Sequence, residues 1–331
     1  MELYFPPYYH SFSCLASGCP DSCCQEWSVD VDPRSAAYYR TLTGDLGDRL
    51  RAVLQDTDGS TVMQIENNRC PMWRQDSLCR IQAELSHDAL CNTCRNFPRL
   101  QHDYGEFIEL GLELSCPEAA RLIFTDTQGN MLRQAQPGGS TPEYDLELMQ
   151  LLRSSRRTAL DFLNSSSFSV GETLAVLLLY GHNVQEEIDS GETIPFDPQA
   201  LLTEAKTYTG KGDLLQLVDF FKNLEILTDR WRIRLAQPTA LHLDTALLPL
   251  ARYMLNRYWL QAVSDYDLVC RVKLIVIACL LVGTLGGDPV QTAQLFSKEI
   301  ENDPDNLDQI LDGAYSFPAF TDANLLRLLV R

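Results

Sequence analysis

Eleven cysteines are the residues of this sequence best suited to chemistry, and nine of them lie before residue 117. A chain of 331 residues can bury a full hydrophobic core without cross-links, so bulk stability does not explain these thiols. Disulfide frameworks belong mainly to small secreted domains, whereas residues 1–9 show neither the basic nor the apolar segment of a signal peptide. We therefore expect a cytoplasmic protein whose reduced thiols bind a metal.

The clustered cysteines have the irregular spacing of metal ligands. They are Cys14, Cys19, Cys23, Cys24, Cys70, Cys79, Cys91, Cys94 and Cys116. Thiolate-rich sites bind zinc or iron–sulfur clusters, and clusters mostly use all-cysteine ligation. Only Cys91 and Cys94 form the Cys-x-x-Cys pair that a zinc ribbon repeats, and Cys19-x-x-x-Cys23-Cys24 does not match the cysteine loop of radical S-adenosylmethionine enzymes. The residues alone predict a metal site and leave both metals open.

Composition excludes several classes of partner. The formal net charge is −18, which opposes binding to nucleic acid or to an anionic membrane surface. No apolar run approaches the ~20 residues that span a bilayer, because the run at 274–285 is bounded by Lys273 and Gly286. We expect neither nucleic acid nor a membrane as a partner.

Hydrophobic periodicity predicts the fold class. Apolar residues recur at helical spacing in segments 144–163, 170–180, 214–226, 247–262, 266–285, 290–300 and 323–330. Before residue 126 the pattern is mixed, with helices predicted at 34–55 and 76–85 and a strand at 108–114. We predict a mainly α protein, an α-rich α+β fold. Its predicted parts are a Cys-rich metal-binding domain with a small β element (1–126), a linker (127–142) and a helical domain (143–331).

One cysteine lies at a predicted helix start. Ser115 and Glu118 have the spacing of a capping box, which places Cys116 in the first turn of the helix. The helix dipole favours a thiolate there, as metal ligation requires.

Four sequence blocks carry a family resemblance. They read SCLASGCPDSCCQEW at 13–27, CPMW at 70–73 followed by LCRIQ at 78–82, CNTCRNFPR at 91–99 and LSCPEAAR at 114–121. In this order they resemble the flagellin lysine-N-methylase family. The resemblance covers residues 1 to about 125 well and the remainder loosely, where Tyr253, Tyr258 and Trp259 are similar to an aromatic patch of such proteins.

The resemblance implies an activity, two cofactors and a partner. It implies methyl transfer from S-adenosylmethionine to a lysine of flagellin or a similar surface protein, assisted by a [4Fe–4S] cluster. The Cys-rich blocks are also similar, more distantly, to zinc- or iron-chelating cysteine-cluster proteins. Comparison of the two patterns leaves Cys91 out of the shared ligands. The implied metal ligands are Cys14, Cys19, Cys23, Cys24, Cys70, Cys79, Cys94 and Cys116.

Lysine methylation needs a carboxylate for the ammonium and a base for its proton. Asp21, Glu26 and Glu118 are the catalytic candidates because they adjoin the cysteines, although Glu118 also suits the capping box. Glu113, on the polar side of the predicted strand, is expected to be solvated.

Docking of S-adenosylmethionine needs other residues, because no Gly-x-Gly-x-x-Gly follows a strand and a Rossmann fold is not indicated. Trp27 and Trp73 are candidates to line the cofactor site, and Arg95 and Arg99 are candidates to bind the cofactor's carboxylate. The structural alternatives are that the two tryptophans pack against the metal site and that the two arginines pair with acidic side chains of the same chain. An iron with an open coordination position is a further candidate binding site for S-adenosylmethionine, because it can chelate the methionine moiety.

Two other functions remain open at this point. One is a non-enzymatic zinc- or iron-binding module that acts in interaction or as a carrier. The other is a different cluster-dependent enzyme that acts on a peptide or a small molecule.

Overall fold

A computed structural model describes residues 1–57 and 59–330. Most of this part of the chain is helical, which confirms the mainly α class with small sheets. The α-helices are α1 Pro33–Thr41, α2 Gly44–Val53, α3 Arg80–Glu84, α4 Asn92–Asn96, α5 Pro117–Thr125, α6 Leu146–Ser165, α7 Val170–Ser190, α8 Pro198–Ala205, α9 Leu214–Lys222, α10 Asp229–Ala236, α11 Leu248–Tyr258, α12 Val269–Leu285, α13 Pro289–Phe296, α14 Pro304–Ser316 and α15 Asp322–Leu329.

Shorter helical turns join these elements. The 3-10 turns are Tyr9–Ser11, Ala16–Gly18, His87–Ala89, Thr245–Leu247, Trp259–Val263 and Pro318–Phe320. One π-helical turn, Ser297–Glu301, continues α13. Such π turns are rare and are frequent at functional sites.

Two small sheets lie in the first 135 residues. Their strands are β1 Glu2–Phe5, β2 Val29–Val31, β3 Leu54–Thr57, β4 Ser60–Met63, β5 Arg99–Asp103, β6 Phe107–Leu112 and β7 Leu132–Ala135. The first sheet has the order β5-β6-β1-β7, in which β1 is parallel to β6 and the other pairs are antiparallel. The second sheet is antiparallel with the order β2-β4-β3.

Several predicted boundaries are wrong. The helix predicted at 34–55 is two helices, α1 and α2, because the chain is extended at Leu42 and Gly44 takes φ +77°. The helix predicted at 76–85 is only α3. The segment 127–142, predicted as a linker, contains β7, which pairs with β1. The division into domains at this segment stays a prediction.

Two clusters of buried residues organise the molecule. The small core consists of Val29, Val31, Ala36, Tyr39, Leu46, Leu50, Val53, Met63, Cys70, Met72, Ile81, Leu90 and Cys91. The large core extends from Phe12 to Leu329 and includes most helices of the second half. Phe107, Leu112 and Ile123 also belong to it, so the first sheet and α5 pack on the helical part.

Helix α12 is the centre of the large core. All of its residues are buried, which explains an apolar sequence without a polar face. Cys270 and Cys279 lie in it as core residues, as the sequence predicts. Among the described helices, none combines the length and the apolar character needed to cross a membrane.

Candidate active site

Helix starts position several of the clustered cysteines. Cys79, Cys91 and Cys116 are the residues immediately before α3, α4 and α5. The backbone N–H groups of Glu118 and Ala119 point to the Cys116 thiol, and their hydrogen bonds oppose the rise in its pKa. The first turn of a helix thus gives these thiols donors that stabilise a negative charge.

The position of Cys116 corrects the predicted capping box. Pro117 takes the first helical position of α5, so the cap falls on Cys116 instead of Ser115. The Ser115 hydroxyl donates to Glu113 Oε2 at 3.3 Å, and Glu118 pairs with Arg121 through two hydrogen bonds of 2.8 and 2.7 Å. Glu118 therefore neutralises an exposed arginine one turn along the helix.

The thiols form two neighbouring groups. One contains Cys14, Cys19, Cys23 and Cys116, since Cys19 interacts electrostatically with Cys14 and Cys23, and Cys116 with Cys19 and Cys23. The other contains Cys24, Cys70, Cys79, Cys91 and Cys94, which interact in the same way. Cys23 adjoins both groups. The fold thus brings together cysteines that are up to 102 positions apart in sequence, as from Cys14 to Cys116.

Two pairs of thiols share a hydrogen bond. The bond from Cys24 lowers the pKa of Cys23, and the bond from Cys94 lowers the pKa of Cys91. Each partner, Cys24 and Cys94, has its pKa raised by the same bond. Cys91, which the resemblance leaves out of the ligand set, thus lies against Cys94 and is only 2% exposed.

Burial raises the pKa of four further thiols, Cys19, Cys70, Cys79 and Cys116. Burial raises the pKa of Cys70 to about 11 and that of Cys116 to about 12, and repulsion from neighbouring thiols adds to the rise. A cation in their midst would reverse this effect, because it deprotonates the thiols that bind it.

In donor type and in proximity the cysteines suit a thiolate-bound metal or an iron–sulfur cluster. Within residues 1–57 and 59–330, however, no three Cys, His, Asp or Glu side chains are already arranged as metal ligands. The thiols are close to one another in the described part of the chain, but their side chains do not surround a common point.

A buried lysine from the helical part enters the cysteine loop. Lys298, in the π-helical turn, is 1% exposed. Its Nζ lies 3.2 Å from both Asp21 carboxylate oxygens, 2.5 Å from Glu26 Oε2 and 4.9 Å from the centre of the Trp27 ring. A buried ammonium is tolerated only with such partners. These three residues therefore form a site that binds a lysine side chain.

The two carboxylates of this site differ in their remaining capacity. Asp21 also accepts hydrogen bonds from Arg230 at 2.9 Å and from Gln25 at 2.7 Å, and Gln294 Nε2 lies 3.2 Å away. Burial alone would raise the pKa of Asp21, but Lys298, the Ser22 N–H and Arg230 lower it to about 2. Asp21 is therefore a fully paired anion.

Glu26 is less completely paired. Its Oε2 is buried and contacts Lys298 as an ion pair, but the angles do not make a hydrogen bond, so this oxygen has no hydrogen-bond partner. Its backbone takes φ +80°, a left-handed conformation that costs a residue other than glycine about 1–3 kcal/mol. Such strain is found mainly at functional sites.

A second charged network lies beside the first. Glu301 accepts a hydrogen bond from Tyr258 Oη at 2.8 Å and pairs with Arg257 Nε at 3.0 Å. The Tyr253 hydroxyl donates to Glu301 at 3.3 Å and accepts from the Leu114 N–H, also at 3.3 Å. This network connects the π-helical turn to the segment that leads into Cys116.

Glu113 belongs to the same neighbourhood, so the expectation that it is solvated is wrong. Burial raises the pKa of Glu113, and Arg257 and Glu301 act on it electrostatically. The chain leaves β6 just before this residue, and the regular alternation of the strand therefore no longer fixes its side.

The predicted cofactor residues lie in different surroundings. Trp27 stacks on the Lys298 ammonium, whereas Trp73 packs under Arg69 at 4.7 Å and has a buried Nε1 without a partner. Arg95 donates to Asn92, its own neighbour on α4, and Arg99 lies over Phe12 at 5.2 Å.

Sequence reasoning missed the residues that the helical part contributes. Lys298, Gln294, Arg230 and Glu301 lie more than 200 positions from Asp21 and carry no motif. A signal was present in the segment predicted as a helix at 290–300, where the charged residues Lys298 and Glu299 lie between the apolar residues Phe296 and Ile300.

Comparisons with known proteins find relatives of part of this chain. The chain is 31% identical over 134 residues to "Flagellar biosynthetic protein FliU" of Salmonella muenchen, and the alignment covers 37% of this chain and 76% of that protein. It is 30% identical over 142 residues to "Lysine-N-methylase" of Salmonella typhimurium and of Salmonella choleraesuis, covering 39% of this chain. The alignment spans only 34% of the length of those two relatives.

No family model matches the chain. No solved structure matches it either.

Proposed function

The chain belongs to the flagellin lysine-N-methylase family, and from that premise we propose that it is a methyltransferase that methylates protein lysine with S-adenosylmethionine. The acceptor proposed is a lysine of flagellin or a similar surface protein. A cytoplasmic location suits this activity, since the cysteines in the structure are free thiols.

The observation that carries the proposal is the ammonium site of Asp21, Glu26 and Trp27. It holds Lys298 by two carboxylates and an aromatic face. An acceptor lysine offers the same ammonium, and aromatic faces bind ammonium and methylated ammonium groups. The site adjoins Cys23 and Cys24, where the metal is predicted.

The pairing in this site suggests separate roles for its two acids. Asp21 has its lone pairs occupied, so we assign it to positioning the loop against Lys298 and Arg230. Glu26 makes an ion pair with Lys298 but no hydrogen bond at Oε2, so we assign it to hold an acceptor ammonium that displaces Lys298 and to take its proton.

With Glu26 as base, the chemistry balances. The acceptor Nζ loses a proton to Glu26, and its lone pair forms a bond to the methyl carbon. The bond between that carbon and sulfur breaks, S-adenosylhomocysteine leaves with the electron pair, and the proton passes to water.

For the metal we propose a [4Fe–4S] cluster. The group of Cys14, Cys19, Cys23 and Cys116 would hold it next to the ammonium site, and the group around Cys24 offers a second set of four or five thiols. When bound through three of the four thiols of the first group, such a cluster would supply one open, Lewis-acidic iron that could chelate the amino and carboxylate groups of the methionine moiety.

Methylation can be tested by intact-mass measurement of flagellin co-expressed with the protein. We expect added methyl groups with the wild type and a rate lower by about 10²-fold or more with Glu26→Gln, because the base is lost. Glu147→Gln, an exposed change on α6, is the matched control and retains activity. Absence of methylation across several flagellins, or full activity of Glu26→Gln, would contradict the proposal.

A further inference from the structure

A cleft between the first sheet and α11 is the feature that the ammonium site does not explain. Leu100, His102 and Leu112 line it from β5 and β6, and Tyr253, Asn256 and Arg257 line it from α11. It contains about 560 Å³ of empty space including its open mouth. Its size suits one end of a small organic molecule.

Unpaired polar atoms concentrate in the residues of this cleft. Across the described residues, eight buried side-chain nitrogen or oxygen atoms have no hydrogen-bond partner. Three of them, His102 Nε2, Asn256 Oδ1 and Arg257 Nη1, belong to lining residues. Each buried orphan costs about 1–3 kcal/mol, so a partner is expected in the cleft.

The orientation of Asn256 is fixed by its other group. Its Nδ2 donates to the Gly129 carbonyl at 2.8 Å, so the orphan Oδ1 needs a donor from the ligand. Arg257 uses Nε for Glu301 and Tyr258, and its orphan Nη1 needs an acceptor. These two neighbouring side chains are therefore complemented by a ligand that presents a hydrogen-bond donor beside an acceptor.

His102 fits the same kind of partner. Burial and the nearby Arg257 lower its pKa, so the ring is neutral and Nε2 can either donate or accept. Leu100, Leu112 and Ile123 give the cleft apolar walls, and Asp126 and Arg252 are among its charged lining residues. This combination is suited to a flat, uncharged heterocycle.

The cleft also adjoins the proposed reaction site. Tyr253 lines it and hydrogen-bonds to the Leu114 N–H and to Glu301. Leu114 is two residues from Cys116, and Glu301 is three from Lys298. Tyr253 therefore links the cleft to the segments that carry Cys116 and Lys298.

We propose that this cleft binds the adenine of S-adenosylmethionine. An adenine edge presents an amino donor beside a ring-nitrogen acceptor, which complements Asn256 Oδ1 and Arg257 Nη1. The inference rests on the proposed function, because it gives that reaction's methyl donor a binding site.

Binding of adenosine and of S-adenosylhomocysteine to the anaerobically purified full chain tests the inference by calorimetry. Both should bind the wild type. Asn256→Leu removes the acceptor at similar volume and should weaken both by about 10–100-fold, the equivalent of one buried hydrogen bond. Asn223→Ala, an exposed change at the end of α9, should leave both affinities unchanged.

A second variant tests the cleft independently, in case Asn256→Leu fails to fold. Leu100→Phe fills the cleft with apolar volume and should block adenosine while the thermal midpoint stays at or above that of the wild type. Circular dichroism of both variants verifies the fold.

The outcomes separate the two ideas. If S-adenosylhomocysteine binds but adenosine does not, and Asn256→Leu keeps its affinity, the cleft holds ordered water only and the inference fails while methyl transfer stands. If neither compound binds and flagellin remains unmodified, the proposed function fails as well.

Discussion

The small core and the large core differ in size and in the share of cysteines among their buried residues. The large core is a broad apolar assembly around α12, and its cysteines are Cys279, within α12, and Cys116, at the start of α5. The small core has only thirteen members, and two of them, Cys70 and Cys91, belong to the clustered thiols. A hydrophobic core of this size is only marginally stable without a metal or a cross-link. We therefore expect folding of the small core to depend on the proposed metal more strongly than folding of the large core does.

The largest expected effect comes from removing a proposed ligand. Cys79→Ser should lower iron and sulfide content and expose residues 29–91 to hydrogen exchange, because structural metals contribute on the order of 10 kcal/mol to folding. Metal analysis and exchange measured by mass spectrometry would show both changes.

Matched changes in the large core sharpen the contrast. Leu177→Ala should cost about 2–5 kcal/mol of unfolding free energy and leave the metal content intact. Cys270→Ser should also keep the metal. Loss of metal from Cys270→Ser but not from Cys79→Ser would overturn the comparison.

An intermediate effect is expected where the two regions join. Lys298→Met leaves Asp21 and Glu26 buried without their shared cation, which should lower the free energy of unfolding by about 3–5 kcal/mol. Urea denaturation measures this loss. Lys222→Met, which removes an exposed ion pair with Asp219, should change stability by less than about 1 kcal/mol. Equal effects of the two variants would show that Lys298 does not join the regions.

The smallest effect concerns an ion pair inside the helical part. Burial opposes ionisation of Asp322, but His182 and Lys273 lower its pKa overall. Its contribution is therefore present above the unfolded pKa near 4 and is lost as the pH falls through the lower folded value. Asp322→Asn should cost about 1–2 kcal/mol at neutral pH, and the difference from the wild type should shrink in acid. Thermal melts across pH would measure it, and a difference that grows in acid would contradict this sign.

Sequence predicted much of the helical part and less of the metal region. Long apolar periods identify α6 and α7, because a helix that packs along one side needs a regular stripe, whereas α12 is identified by a long, nearly continuous apolar run. Helices α3 and α4 are one turn each and have no period to detect. Helices α8 and α10 are also short and carry too few apolar residues to show a helical period, so periodicity did not predict them.

By itself the sequence determined a cluster of thiols, which predicts a metal site, and a family membership recognised from the cysteine blocks. These are local properties, which residue type and spacing encode directly. Only the tertiary structure decided which groups meet. It brought Lys298 to Asp21 and Glu26, placed Glu301 between Tyr253 and Arg257, and left Asn256 Oδ1 and Arg257 Nη1 without hydrogen-bond partners in residues that line one cleft. Such encounters depend on the packing of distant helices, and no spacing along the chain records them.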